Sequence, residues 1–181
     1  MALPFLSNHA RKRDQIVAID LGTHSVKAVH LQRKGSQLNL LGYGIIQTGA
    51  ENPTEAKSKD VASHVASINQ SLGSRCKLVA LCVGAGESLL RHAEMPMVPL
   101  TEMRTLLRYN AKSYLQQDLK DHVFDCYILP PKTNGASATP RAGQKTRVLV
   151  GAVKESVVGD RIALMQSAGL QPEALVPELV C

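Results

Sequence analysis

The stretch IVAIDLGTHSVKAVHL, residues 16 to 31, carries the residues best spaced for chemistry. An apolar run ends in Asp20, passes through Gly22, Thr23, His24 and Ser25, and turns apolar again around Lys27. A carboxylate at the end of a buried strand needs compensation from water, a capped turn, a metal or a ligand. A short polar turn between strands exposes consecutive backbone N–H groups, which can cradle an anion, most readily a phosphate chain. Gly22 would let the backbone come close to that ligand. Asp20 would face Mg²⁺ through a water, because Mg²⁺ prefers to keep its waters, and Lys27 would reach phosphate oxygens as a point charge. The same residues also read as an Asp-capped turn, a tolerant Thr-His-Ser hairpin and a strand lysine facing solvent. This stretch alone leaves both readings open.

Other chemistries are less well served. The four cysteines, Cys76, Cys82, Cys126 and Cys181, show no C-x-x-C spacing, and the six histidines make no H-x-x-x-H or H-x-H pair. No metal cluster is expected from them. Asp125, within FDCYIL, is a strand-embedded acid of the second half. It could serve as a carboxylate base in a substrate pocket, and an edge or outward position is the plainer reading. Aromatic residues make up 3% of the chain, with no tryptophan, which leaves little on which to stack bases and argues against nucleic acid. A net charge of +6 suits an acidic partner, an anionic surface or a phosphate ligand without choosing among them. Part of it is local, in Arg11, Lys12 and Arg13 and in Lys132, Arg141 and Lys145.

The elements that must position these residues follow from periodicity. With 44% hydrophobic residues over 181 positions, the chain can bury one sizeable core or two small lobes. Residues 16–19, 26–31 and 38–46 read as three strands in a meander of hairpins. Asp60 can cap a helix whose Val61, Val65, Ile68 and Leu72 share a face, and Gly73 can end it. KLVALCV, 77–83, is then a buried strand. After Gly84 and Gly86 comes a second set. SLLRHAEMP is a strand, Thr101 can cap a helix with Met103, Leu106, Leu107, Ala111, Tyr114 and Leu115 inward, and HVFDCYIL and TRVLVGAV are two further strands. PPKTNGASATPRAGQK between them reads as a surface loop. A helix over 155–168 with Val158, Ile162 and Met165 inward stops at Gly169, and PEALVPE is a last strand.

The order is β-β-β-α-β, then β-α-β-β-α-β, an α/β chain whose second half has the split pattern of a small α+β sandwich. No G-x-G-x-x-G opens a helix, so neither half is a doubly wound dinucleotide fold. MALPFLSNHARKR places its apolar patch before its charges, the reverse of a secretory signal, and no long apolar span follows. A reduced, cytoplasmic protein without a membrane span is expected. The tail, with Leu3, Phe5 and Leu6, offers too little apolar area for stable anchoring.

IVAIDLGTHSVKAVHL resembles the first phosphate-binding motif of the actin-like ATPase superfamily, a strand ending in Asp, then x-Gly-Thr/Ser and a hairpin. The resemblance is closest to the PilM family of type IV pilus assembly proteins. It extends through SVKAVHLQRKGSQLNLLGYGII, HAEMPMVPLTEMRTLLRYNAKSYLQQDLKDHVFDCYIL and VLVGAVKESVVGDRIALMQSAGLQPEALVPE. It implies a flexible tail over 1–14, an actin-like first lobe over 15–84, and an inserted ferredoxin-like β-α-β-β-α-β unit over 85–175 with a flexible loop at 130–146. Residues 176–181 would begin the return to the first lobe. Such an insert sets PilM and the cell-division protein FtsA apart from sugar kinases.

For the site, the resemblance implies ATP or ADP with Mg²⁺. Asp20 takes the magnesium-facing role, Gly22, Thr23, His24 and Ser25 form the phosphate loop, and Lys27 serves the phosphates. Glu178 falls where the superfamily places an acid that positions the attacking water. Actin-like ATPases close a second lobe over the nucleotide, with another D-x-G loop and adenosine-binding glycines, and this sequence contains neither. The chain therefore reads as a fragment, or as a half-protein that has given up nucleotide closure, and half a cleft is not expected to catalyse well. Three functions remain in view. The first is a scaffold that docks the N-terminal segment of a PilN-like inner-membrane protein in a groove between first lobe and insert, beside other inner-membrane platform proteins of a pilus or type II secretion system. The others are a small-molecule kinase or hydrolase of the superfamily, and an FtsA-like filament protein. Homo-oligomers are compatible with all three.

Overall fold

The computed structural model describes residues 14–22, 24–48, 58–130 and 144–181. Apart from residue 14 the expected tail lies outside them, as does most of the expected 130–146 loop, whose last two residues already belong to a strand that begins at Lys145. Two compact units form, one from Met1–Gly84 with Gly159–Cys181 and one from Ala85–Val158.

In the first unit β1 (Gln15–Leu21), β2 (Ser25–Lys34) and β3 (Gln37–Gln47) form the expected antiparallel meander. Helix α1 (Ser58–Ser71) carries the chain to β4 (Leu78–Val83), which lies parallel to β1. Asp60 falls inside the first turn of α1 rather than before it, and its carbonyl accepts the Ser63 hydroxyl at 2.7 Å. The helix ends as expected before Gly73, whose φ of +59° is a left-handed conformation that glycine adopts without strain.

Strand alternation decides what faces what. Val17 and Ile19 of β1, Val26 and Ala28 of β2, and Val79 and Leu81 of β4 are buried against Val65 and Ile68 of α1. Asp20, Lys27 and Cys82 sit one residue out of phase, on the opposite face of the sheet. Helix and sheet approach closely at Gly44, where a Cβ would stand 2.8 Å from Ile68 Cγ1.

The second unit holds β5 (Ser88–Pro96), α2 (Leu100–Leu115), β6 (His122–Ile128) and β7 (Lys145–Lys154), with its strands in the antiparallel order β5-β7-β6. Met103, Leu107, Ala111 and Leu115 bury the inner face of α2 on Ala93, Met95, Cys126, Val148 and Val150, as the helical spacing requires. Thr101 does not cap this helix. Pro99 holds the N-cap position with φ −53° and ψ 147°, and its carbonyl accepts the Glu102 and Met103 N–H groups, so Thr101 is already inside the first turn.

A larger departure concerns the end of the chain. After α3 (Glu155–Ser167), β8 (Gln171–Pro177) pairs in parallel with β4, not with β5, β6 or β7. The expected β-α-β-β-α-β insert over 85–175 is thus a three-stranded sheet with one helix, and the first sheet has five strands in the order β3-β2-β1-β4-β8. The reason lies in two side chains. Met165 and Leu170 are buried in the first core, and the Gln171 N–H bonds the Lys77 carbonyl at 2.8 Å, which carries the chain back to β4.

Candidate functional site

The expected loop is a tight hairpin end. Leu21 pairs with Val26 and Asp20 with Lys27. A Cβ on Gly22 would meet the Ser25 carbonyl oxygen at 3.1 Å, so the bareness of this residue serves the turn itself. Thr23 lies outside the described residues. His24 is exposed, and its carbonyl accepts the Thr48 N–H at 2.9 Å, while Ser25 opens β2 opposite Gln47.

Lys27 Nζ lies 3.2 Å from Asp20 Oδ2, with 52% of the lysine side chain and 29% of the aspartate side chain exposed. The pair is a cross-strand ion pair of ordinary kind, and its two members share one surface beside the turn.

The parallel neighbour of Asp20 on β4 is Cys82, whose own neighbour on β8 is Val176. Glu178 follows in a short 3₁₀ turn, Glu178–Val180, and Cys181 ends it with its Sγ 3.2 Å from Cys82 Sγ. The Cys82 thiol is pushed up to about 12, by burial first, then by its contact with Cys181, then by the negative charges of Cys181, Asp20 and Glu178. Asp20, Cys82, Glu178 and Cys181 therefore gather at the carboxyl ends of three parallel strands, the edge of an open α/β sheet where ligands bind. Sequence reading singled out Asp20, Lys27 and Glu178 and did not single out the two cysteines. No local signal joined them, because their meeting depends on the pairing of β4 with β8.

Among the described residues no group of three or more His, Cys, Asp or Glu side chains could hold a metal ion directly. A Mg²⁺ that keeps its waters needs one or two carboxylates. Asp20 thus fits a water-bridged cation and not a directly caged one, while the Lys27 amino group fits an anion placed over the turn. Asp125 faces solvent on β6, 62% exposed, and accepts Arg104 Nε at 2.8 Å and the Cys126 N–H at 2.7 Å. An exposed carboxylate already held by a guanidinium makes a poor pocket base.

No helix among the described residues is long and apolar enough to cross a membrane. Among curated protein sequences none matches this chain. Of solved structures, the chain is similar to one in a PilM-PilN type IV pilus biogenesis complex, with a TM-score of 0.73 and 19% identity over 91% of this chain and 47% of that one. It is also similar to the cytoplasmic domain of EpsL, an inner-membrane component of the Vibrio cholerae type II secretion system, with a TM-score of 0.56 and 12% identity over 92% of this chain and 58% of that one. The chain thus spans about half the length of these structures, and its fold is an actin-like lobe with two sheets. The profile of the type IV pilus assembly protein PilM family matches residues 18–176, and the chain belongs to that family.

Proposed function

We propose that this chain serves pilus assembly as a cytoplasmic, actin-like nucleotide-responsive scaffold on the face of the inner membrane. Its partner would be the N-terminal cytoplasmic segment of a PilN-like membrane protein. The observation that carries the reading is the likeness, over nearly all of this chain, to a PilM-family fold solved in a complex with PilN. The carboxyl-end cluster supplies the nucleotide half of the proposal. Lys27 would leave Asp20 for a phosphate oxygen, the backbone of the Gly22–Ser25 turn would lie against the same group, and Asp20 would orient the waters of Mg²⁺. Bound Mg²⁺ would supply neutralisation of the phosphate charge. Glu178, exposed beside them, would position a water.

Positioning charge on both sides of a nucleotide is what phosphoryl transfer needs, and the sequence holds a single D-x-G segment, Asp20 to Gly22. This chain by itself is accordingly a weak binder of Mg-ATP with no turnover. Peptide recognition makes no such demand, because an extended segment docks through main-chain hydrogen bonds and a few apolar pockets. A calorimetric titration of the folded chain with the N-terminal peptide of its cognate PilN-like protein tests the reading. Saturable heat with localised amide shifts is the expected result. Absence of both, with circular dichroism showing a folded chain, overturns it.

A further inference from the structure

We propose that Cys82 and Cys181 are an oxidisable pair, a site of reversible disulfide formation at the carboxyl end of the five-stranded sheet. The two sulfurs lie 3.2 Å apart although the residues are 99 positions apart in sequence. Both belong to the same compact unit. Cys82 is fixed by strand pairing on both sides, to β1 at Asp20 and to β8 at Val176. Cys181 is carried by the 3₁₀ turn, with its N–H on the Glu178 carbonyl at 3.2 Å and its thiol within 3.5 Å of the Pro177 carbonyl. A disulfide needs the two side chains to point at each other, and here they already do.

The other cysteines are placed elsewhere. Cys126 is buried in the second unit, and Cys76 lies on the far side of β4 from Cys82 in sequence, with its thiol toward Gln15 Oε1 at 4.0 Å. Exposure sets the order of events, since Cys181 is open to solvent and Cys82 is half-buried. The Cys181 thiolate attacks one sulfur of a small disulfide such as oxidised glutathione. That S–S bond breaks, and one glutathione leaves as its thiolate. Cys82 then loses its proton to solvent and attacks the Cys181 sulfur of the mixed disulfide, expelling the second glutathione. Two electrons pass from the pair to the glutathione disulfide, and the two protons given up end on the two released thiols. The second step is the slow one, because burial and the negative charges of Asp20 and Glu178 still hold the proton on Cys82 once Cys181 is in the mixed disulfide.

The bond would tie the segment after β8 to the end of β4, next to Asp20. It owes nothing to the nucleotide reading, so either can fail alone. The full-length protein is equilibrated with mixtures of reduced and oxidised glutathione, quenched in acid, alkylated and mapped by peptide mass spectrometry. The expected product is a Cys82–Cys181 linked peptide with Cys76 and Cys126 alkylated. Cys82→Ser should stop at a glutathione adduct on Cys181, and Cys181→Ser, a change at an exposed position, should leave Cys82 a free thiol. Cys82 and Cys181 both alkylated at a poise that oxidises dithiothreitol, or links from either residue to another cysteine or another chain, overturn the proposal.

Discussion

Asp20 and Lys27 stand directly opposite each other in the β1–β2 ladder, Oδ2 to Nζ 3.2 Å, on the sheet face turned away from α1. The cross-strand pairing fixes their Cβ atoms close together, so the ion pair forms with little ordering of long side chains. Its strength is set by water, because more than half of the lysine side chain is exposed. Such pairs contribute about 0–1 kcal/mol. The two charges are therefore cheap to separate, which is what a ligand that takes Lys27 from Asp20 requires.

Lys27→Gln should consequently lower the affinity of the full-length protein for Mg-ATP by roughly tenfold, the equivalent of about 1.4 kcal/mol, with little change in Tm. Asp20→Asn should remove the magnesium dependence of binding while ATP alone still binds. Calorimetry with and without Mg²⁺ separates the two effects. Equal affinities in all three proteins would leave the pair a plain surface ion pair.

Gly44→Ala tests how tightly α1 lies on the meander. The new methyl would meet Ile68 Cγ1 at 2.8 Å and Cδ1 at 3.2 Å, and Ile68 is fully buried, so helix or strand must move. Overpacking of this kind costs about 1–3 kcal/mol. Gly86→Ala is the control, because nothing lies within 4 Å of its added Cβ. Urea unfolding of the two variants should show a loss for the first and near-neutrality for the second.

Much of this fold was legible because alternation and helical spacing are local. SLLRHAEMP forms a strand over those same residues, 88–96, and the inward face of α2 is the one its spacing dictates. Pairing partners are not local. TRVLVGAV and PEALVPE look alike as strands, and what sends the second to β4 is the burial of Met165 and Leu170 in the first core, a fact of tertiary packing. Caps failed for a related reason. Thr101 and Asp60 are good capping residues by type, yet a proline already in extended geometry claimed one helix start, and the other helix began two residues earlier. At the site, Asp20 and Lys27 could be read from a motif. Cys82 and Cys181 could not, because their meeting depends on the β4–β8 pairing.

Helix α2 offers a contrast between neighbours. Leu107 is fully buried and Tyr109 is 79% exposed. Leu107→Ala should destabilise by about 2–5 kcal/mol, the cost of lost burial plus a cavity, whereas Tyr109→Ala should stay within about 0.5 kcal/mol. Chemical denaturation monitored by circular dichroism reads both. Equal losses would mean that α2 does not pack as described.

The last prediction concerns protons at the carboxyl-end cluster. Cys82 is raised from 9.0 to about 12, so the folded protein holds its proton more tightly than the unfolded chain does. The stability this contributes is whole below pH 9.0 and is lost as the pH climbs toward about 12. Reactivity follows the same sign. Only the thiolate is nucleophilic, so the raised pKa keeps Cys82 almost wholly in its unreactive form near neutral pH, and alkylation by a neutral reagent should quicken roughly tenfold per pH unit until the pKa is reached. Asp20 and Glu178 add their negative charge to this shift, after burial and Cys181. Asp20→Asn should therefore lower the Cys82 pKa and speed its alkylation at fixed pH, as should Glu178→Gln by a smaller factor. Cys181→Ser should have the larger effect, because it removes both a contact and a charge that resist ionisation. Time-resolved alkylation with peptide mapping measures each rate, and a Cys82 that reacts at pH 8 as fast as an unstructured cysteine would refute this account of the cluster.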